Sequence, residues 1–280
     1  MLLPAIRTAG LLIALLAPAF AGDDATEIVR QSAQHDQINW DIAHNYTFRE
    51  RVEDRKSGRT EVKTYETVIL YSQPFQRLIA RDDKPLSARD QQKEQERFDK
   101  EVDKRRRESE SGRAAVEEAK DRKKRQELRD EILRAFHFAL LGEEPVDGHD
   151  AWIIGAEPRS DYKPHSTEGR FLQSIHGKLW IDKAGYEWVK IEAAVIRPAH
   201  FGLFLVTLSP GSTIYFEQAR INDEVWLPKK VKVEVNGRLV FKHVDERVVA
   251  DYNDYHRFQT DTRITGVSDP IETATPAPPK

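Results

Sequence analysis

Nucleophiles, titratable side chains and their spacing are where chemistry in a single chain would first show, and here the spacing assembles none of them. The nine histidines are scattered, with no His-Glu-x-x-His or other short-range pair suited to a metal. His176 and His243 fall in strand-like runs, where surface or hydrogen-bonded histidines are the common case. There are no cysteines, which excludes disulfides, thiolate metal sites and cysteine nucleophiles. No Gly-x-Ser-x-Gly elbow, glycine-rich phosphate loop or Asp-x-Asp-x-Asp calcium loop occurs. Glu143-Glu144 could be imagined as an acid and a base, but neighbours on a strand point to opposite faces. Ser209-Pro-Gly-Ser212 is a turn by composition. Trp180, Trp188 and Trp226 could stack on a sugar or a lipid head, although aromatics in sheets usually pack. The expectation is a protein without catalysis, metal or cofactor.

The elements that would position any site are strands. From Ser174 to Phe258 the chain alternates apolar and polar residues in β-branched and aromatic runs. These are Lys178–Asp182, Tyr186–Ile196, Thr213–Ile221, Val225–Val235 and Arg238–Lys242. Val231, Val233 and Val235 share one side of a strand, and Lys230, Lys232 and Glu234 the other. Turns are expected at Lys183-Ala-Gly185, Asn222-Asp-Glu224 and Asn236-Gly237, the last a strong two-residue hairpin signal. One face of this meander is apolar and the other charged. Pro198–Gly211, a markedly apolar stretch between two strands, is either another strand or an apolar segment lying across the greasy face.

Upstream, Asp24 to about Trp40 reads as a helix with Ile28, Val29, Ala33 and Ile38 on an irregular apolar face. Asp41–Glu53, Val62–Tyr71 and Phe75–Ala80 read as three strands, with a turn at Lys56-Ser-Gly58. Ser87 to Arg134 changes character: it is highly charged, almost free of β-branched residues, and dominated by helix formers. Ser87 with Asp90 is a capping signal, and Glu108–Gly112 is the break between two helices. Lys104–Arg107 and Lys120–Arg125 could be basic patches. Interleaved acids, with Glu96–Lys100 and Glu118–Arg122 at supporting spacing, make a solvated, salt-laced arm the better reading. Phe136–Pro145 and Asp150–Glu157 then flank a tight hairpin at Asp147-Gly148, and Asp251–Ile264 supplies the closing strand.

The whole chain has 280 residues, 39% hydrophobic and 32% charged, enough for one sizeable domain. Lys+Arg (44) and Asp+Glu (47) nearly cancel to a net charge of -3, which gives no case for nucleic acid. Met1 to Ala21 has Arg7 as its only charge, an apolar core from Ala9 to Ala17, and Ala19-Phe20-Ala21 at its end. That is the pattern of a cleaved secretory signal peptide, and its core is too short to span a bilayer. No cysteine follows it, so no lipid anchor is expected there, and the mature protein is expected to be soluble in the bacterial periplasm or outside the cell. The Pro-rich end, residues 267–280, reads as a disordered tail.

Gly177-Lys-Leu-Trp-Ile-Asp182, Glu217-Gln-Ala-Arg220, Val225-Trp-Leu-Pro228 and Asp251-Tyr-x-Asp-Tyr255, behind a signal and an N-terminal helix, resemble the outer-membrane lipoprotein-sorting proteins. These are the family of the periplasmic lipoprotein carrier LolA and its receptor LolB. The resemblance covers most of the mature chain apart from the insertion and the tail. It implies a mainly β (α+β) fold: a half-open antiparallel β-barrel over residues 22–266, with covering helices and the charged helical hairpin inserted at 87–134. It also implies an apolar cavity for acyl chains, with an inner-membrane exporter and an outer-membrane receptor as partners.

Strand parity nominates the lining. Tyr46 and Phe48 come from the first strand, Trp152 and Ile154 from the strand after the Asp147-Gly148 turn, and Leu179, Ile181, Val189 and Ile191 from the next two. Ile214, Phe216, Val231, Val233, Leu239 and Phe241 complete the set. The expected function is a non-catalytic carrier of a lipid or a lipoprotein acyl chain. The alternative is an envelope scaffold that acts through the charged helical arm.

Overall fold

A computed structural model describes residues 22–71, 73–164, 166–201, 206–239 and 242–258. The expected signal peptide, the tail and Phe241 lie outside them. In chain order the elements are α1 (Gly22–Ala43), β1 (Tyr46–Lys56), β2 (Arg59–Leu70), β3 (Gln73–Arg81), β4 (Lys84–Pro85), α2 (Ala88–Glu110) and α3 (Arg113–Ala135). There follow β5 (Phe136–Val146), β6 (His149–Pro158), α4 (Thr167–Leu172), β7 (Ile175–Asp182), β8 (Trp188–Val195), β9 (Ala199–Phe201) and β10 (Val206–Leu208). The chain ends with β11 (Thr213–Ile221), β12 (Val225–Leu239) and β13 (Lys242–Arg257).

All thirteen strands form one antiparallel sheet, ordered β4-β3-β2-β1-β13-β12-β11-β8-β7-β6-β5, with β9 and β10 branching beside β12. The N-terminal and C-terminal meanders are therefore one surface, joined where β1 pairs with β13. The two edges, β4 and β5, do not pair with each other, so the barrel is open. Tight turns set the registers: Asp147-Gly148 (φ 52° and 85°) and Asn222-Asp223 (φ 52° and 56°) both take the left-handed conformation that two-residue hairpins need.

Asn236-Gly237 departs from its expected role. It is not a turn; β12 runs through it to Leu239, and Arg238–Lys242 is divided between β12 and β13. The reason lies in β10, which pairs across Gly237, where a Cβ would stand 2.2 Å from the Thr207 carbonyl oxygen. Only a glycine admits that backbone. Asn236 is held as well, since its N–H donates to Ser212 Oγ (3.0 Å) and its carbonyl accepts from the Ser209 N–H (2.7 Å). The closing strand accordingly begins nine residues before Asp251, at Lys242. The described part of Pro198–Gly211 is strand: β9 and β10 prolong the β8–β11 hairpin beyond a break where the Val195 N–H meets the Ser212 carbonyl at 2.8 Å.

The inserted hairpin leaves one edge of the sheet at β4 and returns directly into the other at β5. Ser87 caps α2 by accepting from the Asp90 N–H, and the break falls at Ser111-Gly112. Its outer surface is solvated and salt-laced, with Glu118–Arg122 paired at 3.5 Å; Glu96 accepts from Gln92 (3.2 Å). Its inner surface is anchored. In α2, Phe98 meets Phe75 of β3 with ring centroids 5.8 Å apart. In α3, Arg125 lies 4.3 Å over Trp40 of α1, and Glu131 accepts from Ser166 at the start of α4. The arm straps the opening of the half-barrel.

Three buried clusters hold the molecule together. The largest lies on one face of β5–β7 beneath α1, α3 and α4, and includes Val29, Phe136, Phe138, Ile154 and Ile181. The second, on the opposite face, gathers Val146, Ala151, Trp180, Val189 and Trp226. The third joins the end of α1 to Tyr46, Val225 and Leu227.

Candidate functional site

Partners across an antiparallel sheet point to the same side, so the registers can be followed from strand to strand. One row runs Ile154, Leu179, Ile191, Phe216, Val231, Ala250, Val52. The next row contains Ile214, Val233 and Val248. At the β6–β7 end this face is buried, with Ile154 at 0% exposure under the helices. From β8 to β12 it is different. Ile191, Ile214, Phe216, Val231 and Val233 are all only half-buried and belong to none of the three clusters. Phe216 touches Trp188 (4.9 Å between centroids), and Trp188 donates from Nε1 to Asp36 of α1 (2.9 Å). The helix α1 meets β12 at its start, where Asn39 accepts from the Trp226 N–H (2.7 Å) and donates to its carbonyl (2.9 Å).

The same face continues across β1–β3 into an open cavity of about 780 Å³ beneath α2, with Phe48, Tyr65, Thr67, Phe75 and Leu78 among its walls. Phe48 pairs with Thr67 and Glu50 with Tyr65, so these side chains share the face of Val52. Glu50 is 8% exposed and accepts from the Tyr252 hydroxyl (2.7 Å) and from Gln76. Burial first, then that bond to Glu50, pushes the Tyr252 phenol well above its ordinary value. On α2, Glu94 accepts from the Leu78 N–H (3.0 Å) and from Arg97 Nε (2.9 Å), which holds the helix to the β3 backbone. Arg97 lies 4.4 Å over Phe75, and its bond to Glu94 raises its pKa. Arg105 donates to the carbonyls of Gln73 (2.8 Å) and Pro74 (3.1 Å). Lys63 and Arg81 also line this cavity.

The nominated residues separate into groups. Ile191, Ile214, Phe216, Val231 and Val233 form the half-exposed strip, and Phe48 lines the cavity. Ile154 and Ile181 are core, with Trp152 and Leu179 packed against them. Tyr46, 1% exposed, is spent in the third cluster and accepts from Asn222 Nδ2 (2.9 Å). Val189 is on the wrong side. A bulge between Trp180 and Ile181 interrupts the alternation of β8, and Val189 packs with Trp180 and Trp226 on the opposite face. Leu239 ends β12 opposite Val206 and Lys242. The parity reading missed the β2–β3 wall and the α2 side chains, although Glu50, between Phe48 and Val52 on one face, was a visible polar mark. Glu143 and Glu144 do part: the first pairs with Lys183, the second accepts from Trp180.

A third carboxylate group sits where α1 crosses the β7–β8 loop. Asp36 accepts from Arg129 Nη1 (3.3 Å) as well as from Trp188. Glu187 is raised to about 7, by burial first and then by Asp36 and Asp182. Among the described residues no group of three or more His, Asp or Glu is placed to hold a metal ion, and no helix is long and apolar enough to cross a membrane.

No family model and no curated protein matches the sequence. Solved structures do. A DUF1329 family protein from Desulfovibrio piger is 13% identical with a TM-score of 0.37, over 85% of this chain and 94% of that one. A candidate outer-membrane lipoprotein-sorting protein domain from Vibrio parahaemolyticus is 10% identical with a TM-score of 0.38, over 87% and 96%. A LolA superfamily protein from Nitrosomonas europaea is 12% identical with a TM-score of 0.30, over 82% and 92%. At those scores none of them bears on what this chain binds.

Proposed function

We propose that this protein is a non-catalytic carrier that takes the acyl chain of a lipid or lipoprotein onto the concave face of its half-barrel. One observation carries the reading: an apolar strip, Ile191, Ile214, Phe216, Val231 and Val233, left half-buried on the same sheet face that leads through Ala250 and Val52 to a cavity of about 780 Å³. A cavity of that volume lies within the range of small-molecule sites. Water against such a strip is displaced favourably by hydrocarbon, at about 0.8 kcal/mol per methylene buried. The open edges of the sheet, strapped only by α2 and α3, supply a way in. Its place is the periplasm, and an exporter at the inner membrane and a receptor at the outer membrane are the partners such a carrier needs.

Val233→Glu tests this. A carboxylate on the strip leaves the three clusters intact, so the variant should fold with an unchanged circular dichroism spectrum and lose uptake of a fluorescent fatty acid. Unchanged uptake would remove the strip from the site. The scaffold reading keeps some support from Val116 and Leu128, which α3 holds 54% and 39% exposed. A Val116→Asp, Leu128→Asp variant that folds and takes up fatty acid but loses a co-purifying protein would favour it.

A further inference from the structure

The apolar row on the concave face does not end in solvent. From Phe216 through Val231, Ala250 and Val52 its next two members are Lys63 of β2 and Arg81 of β3. Both line the cavity beneath α2, together with Arg97 and Arg105 from the helix above. Each cation already has a carboxylate or a carbonyl: Lys63 and Arg81 share Glu61 (2.8 and 2.9 Å), Arg97 holds Glu94, and Arg105 holds Glu101 (2.7 Å). Those bonds leave donors over. Glu61 takes Arg81 Nη1, and Glu94 and the Gln76 carbonyl take Arg97 Nε and Nη2. A guanidinium has five N–H groups in a planar fork, so Arg81 and Arg97, which both line the cavity, keep N–H groups beyond these bonds. Glu61, Glu94 and Glu101 offset three of the four cations, so the site offers directed donors with a small net positive charge.

Resting on the acyl-chain reading, we infer that the ligand's polar end is an anionic oxygen group, a phosphate or a carboxylate. It docks at Arg81, Lys63 and Arg97 in the cavity beneath α2, while the chain lies along Val52, Val231 and Phe216. Four strand spacings separate Phe216 from Lys63, about 19 Å, a distance suited to one long acyl chain laid across the strands. Planar guanidinium forks select oxyanions. A neutral head of the same shape would take no charge-assisted bond from them.

The test uses two probes, dansylaminoundecanoic acid and its methyl ester, which differ only in the anionic group. Wild-type protein should bind the acid about tenfold more tightly than the ester, the scale of a charge-assisted hydrogen bond. Arg81→Gln, which leaves the Glu94–Arg97 anchor of α2 untouched, should weaken the acid severalfold more than the ester and so shrink that preference. Competition by lysophosphatidate against palmitate then tells phosphate from carboxylate. Equal binding of acid and ester, or a preference as large in Arg81→Gln as in the wild type, overturns the headgroup assignment while the acyl reading stands. Failure of both probes to bind overturns the acyl reading itself.

Discussion

Single residues at this site differ in what a substitution should reveal. Val231 and Val233 touch no buried cluster, so a charge there should cost ligand and little stability. Tyr46 and Val189 are the reverse: both are almost fully buried in clusters away from the strip. Val189→Ala should cost about 2 kcal/mol in a denaturant titration, on the scale of methyl groups removed from a packed core, and leave fatty-acid uptake intact. Glu187 carries a pH dependence. Its pKa is about 7 in the fold against 4.5 for an ordinary glutamate, so the folded state holds a proton that the unfolded chain releases. Stability from this group is full below about 4.5, declines as pH rises towards 7, and is flat above. Glu187→Gln should therefore raise the thermal midpoint at pH 8 by about 2 °C and leave it unchanged at pH 4. An equal gain at both pH values would refute the assignment.

Among the elements, the sheet was largely legible from the sequence and the helical strap only in part. Alternation and turn residues located the hairpins at Ser57-Gly58, Asp147-Gly148 and Asn222-Asp223, because those signals are local. Asn236-Gly237 misled because its glycine answers to a distant strand: β10 passes 2.2 Å from where a Cβ would be. Gly237→Ala should displace β10 and cost about 2 kcal/mol in chemical denaturation, as overpacked sites do. A neutral result would mean that β10 does not pair there. The Ser87 cap and the Gly112 break of the arm were readable, but its anchoring was not. Phe98 is an apolar residue of the arm's first helix by sequence, but its seat on Phe75, with Arg97 over the same ring, shows only once β3 is placed beneath them. Phe98→Ala should speed amide exchange across α2, with α1 unchanged; uniform protection of both helices would show that the ring is not the anchor. Val189 was misplaced because a bulge cannot be seen in an alternating pattern.

The whole molecule is one sheet that is too long to close on a few helices and is not closed by its own edges. Helices α1, α3 and α4 cover the β5–β7 end, α2 covers β3, and the middle of the concave face is left apolar and half-open. A fold stabilised by its core alone would gain from burying those valines and Phe216; here they stay half-buried, and the proposed acyl chain would cover them. The most direct measurement is mass spectrometry of an organic extract of the protein, purified without detergent from the cells that make it. A lipid or acylated peptide present at about one per protein is the expected result. An extract with no acyl compound, from a protein that also fails to take up fluorescent fatty acid, would contradict the carrier reading.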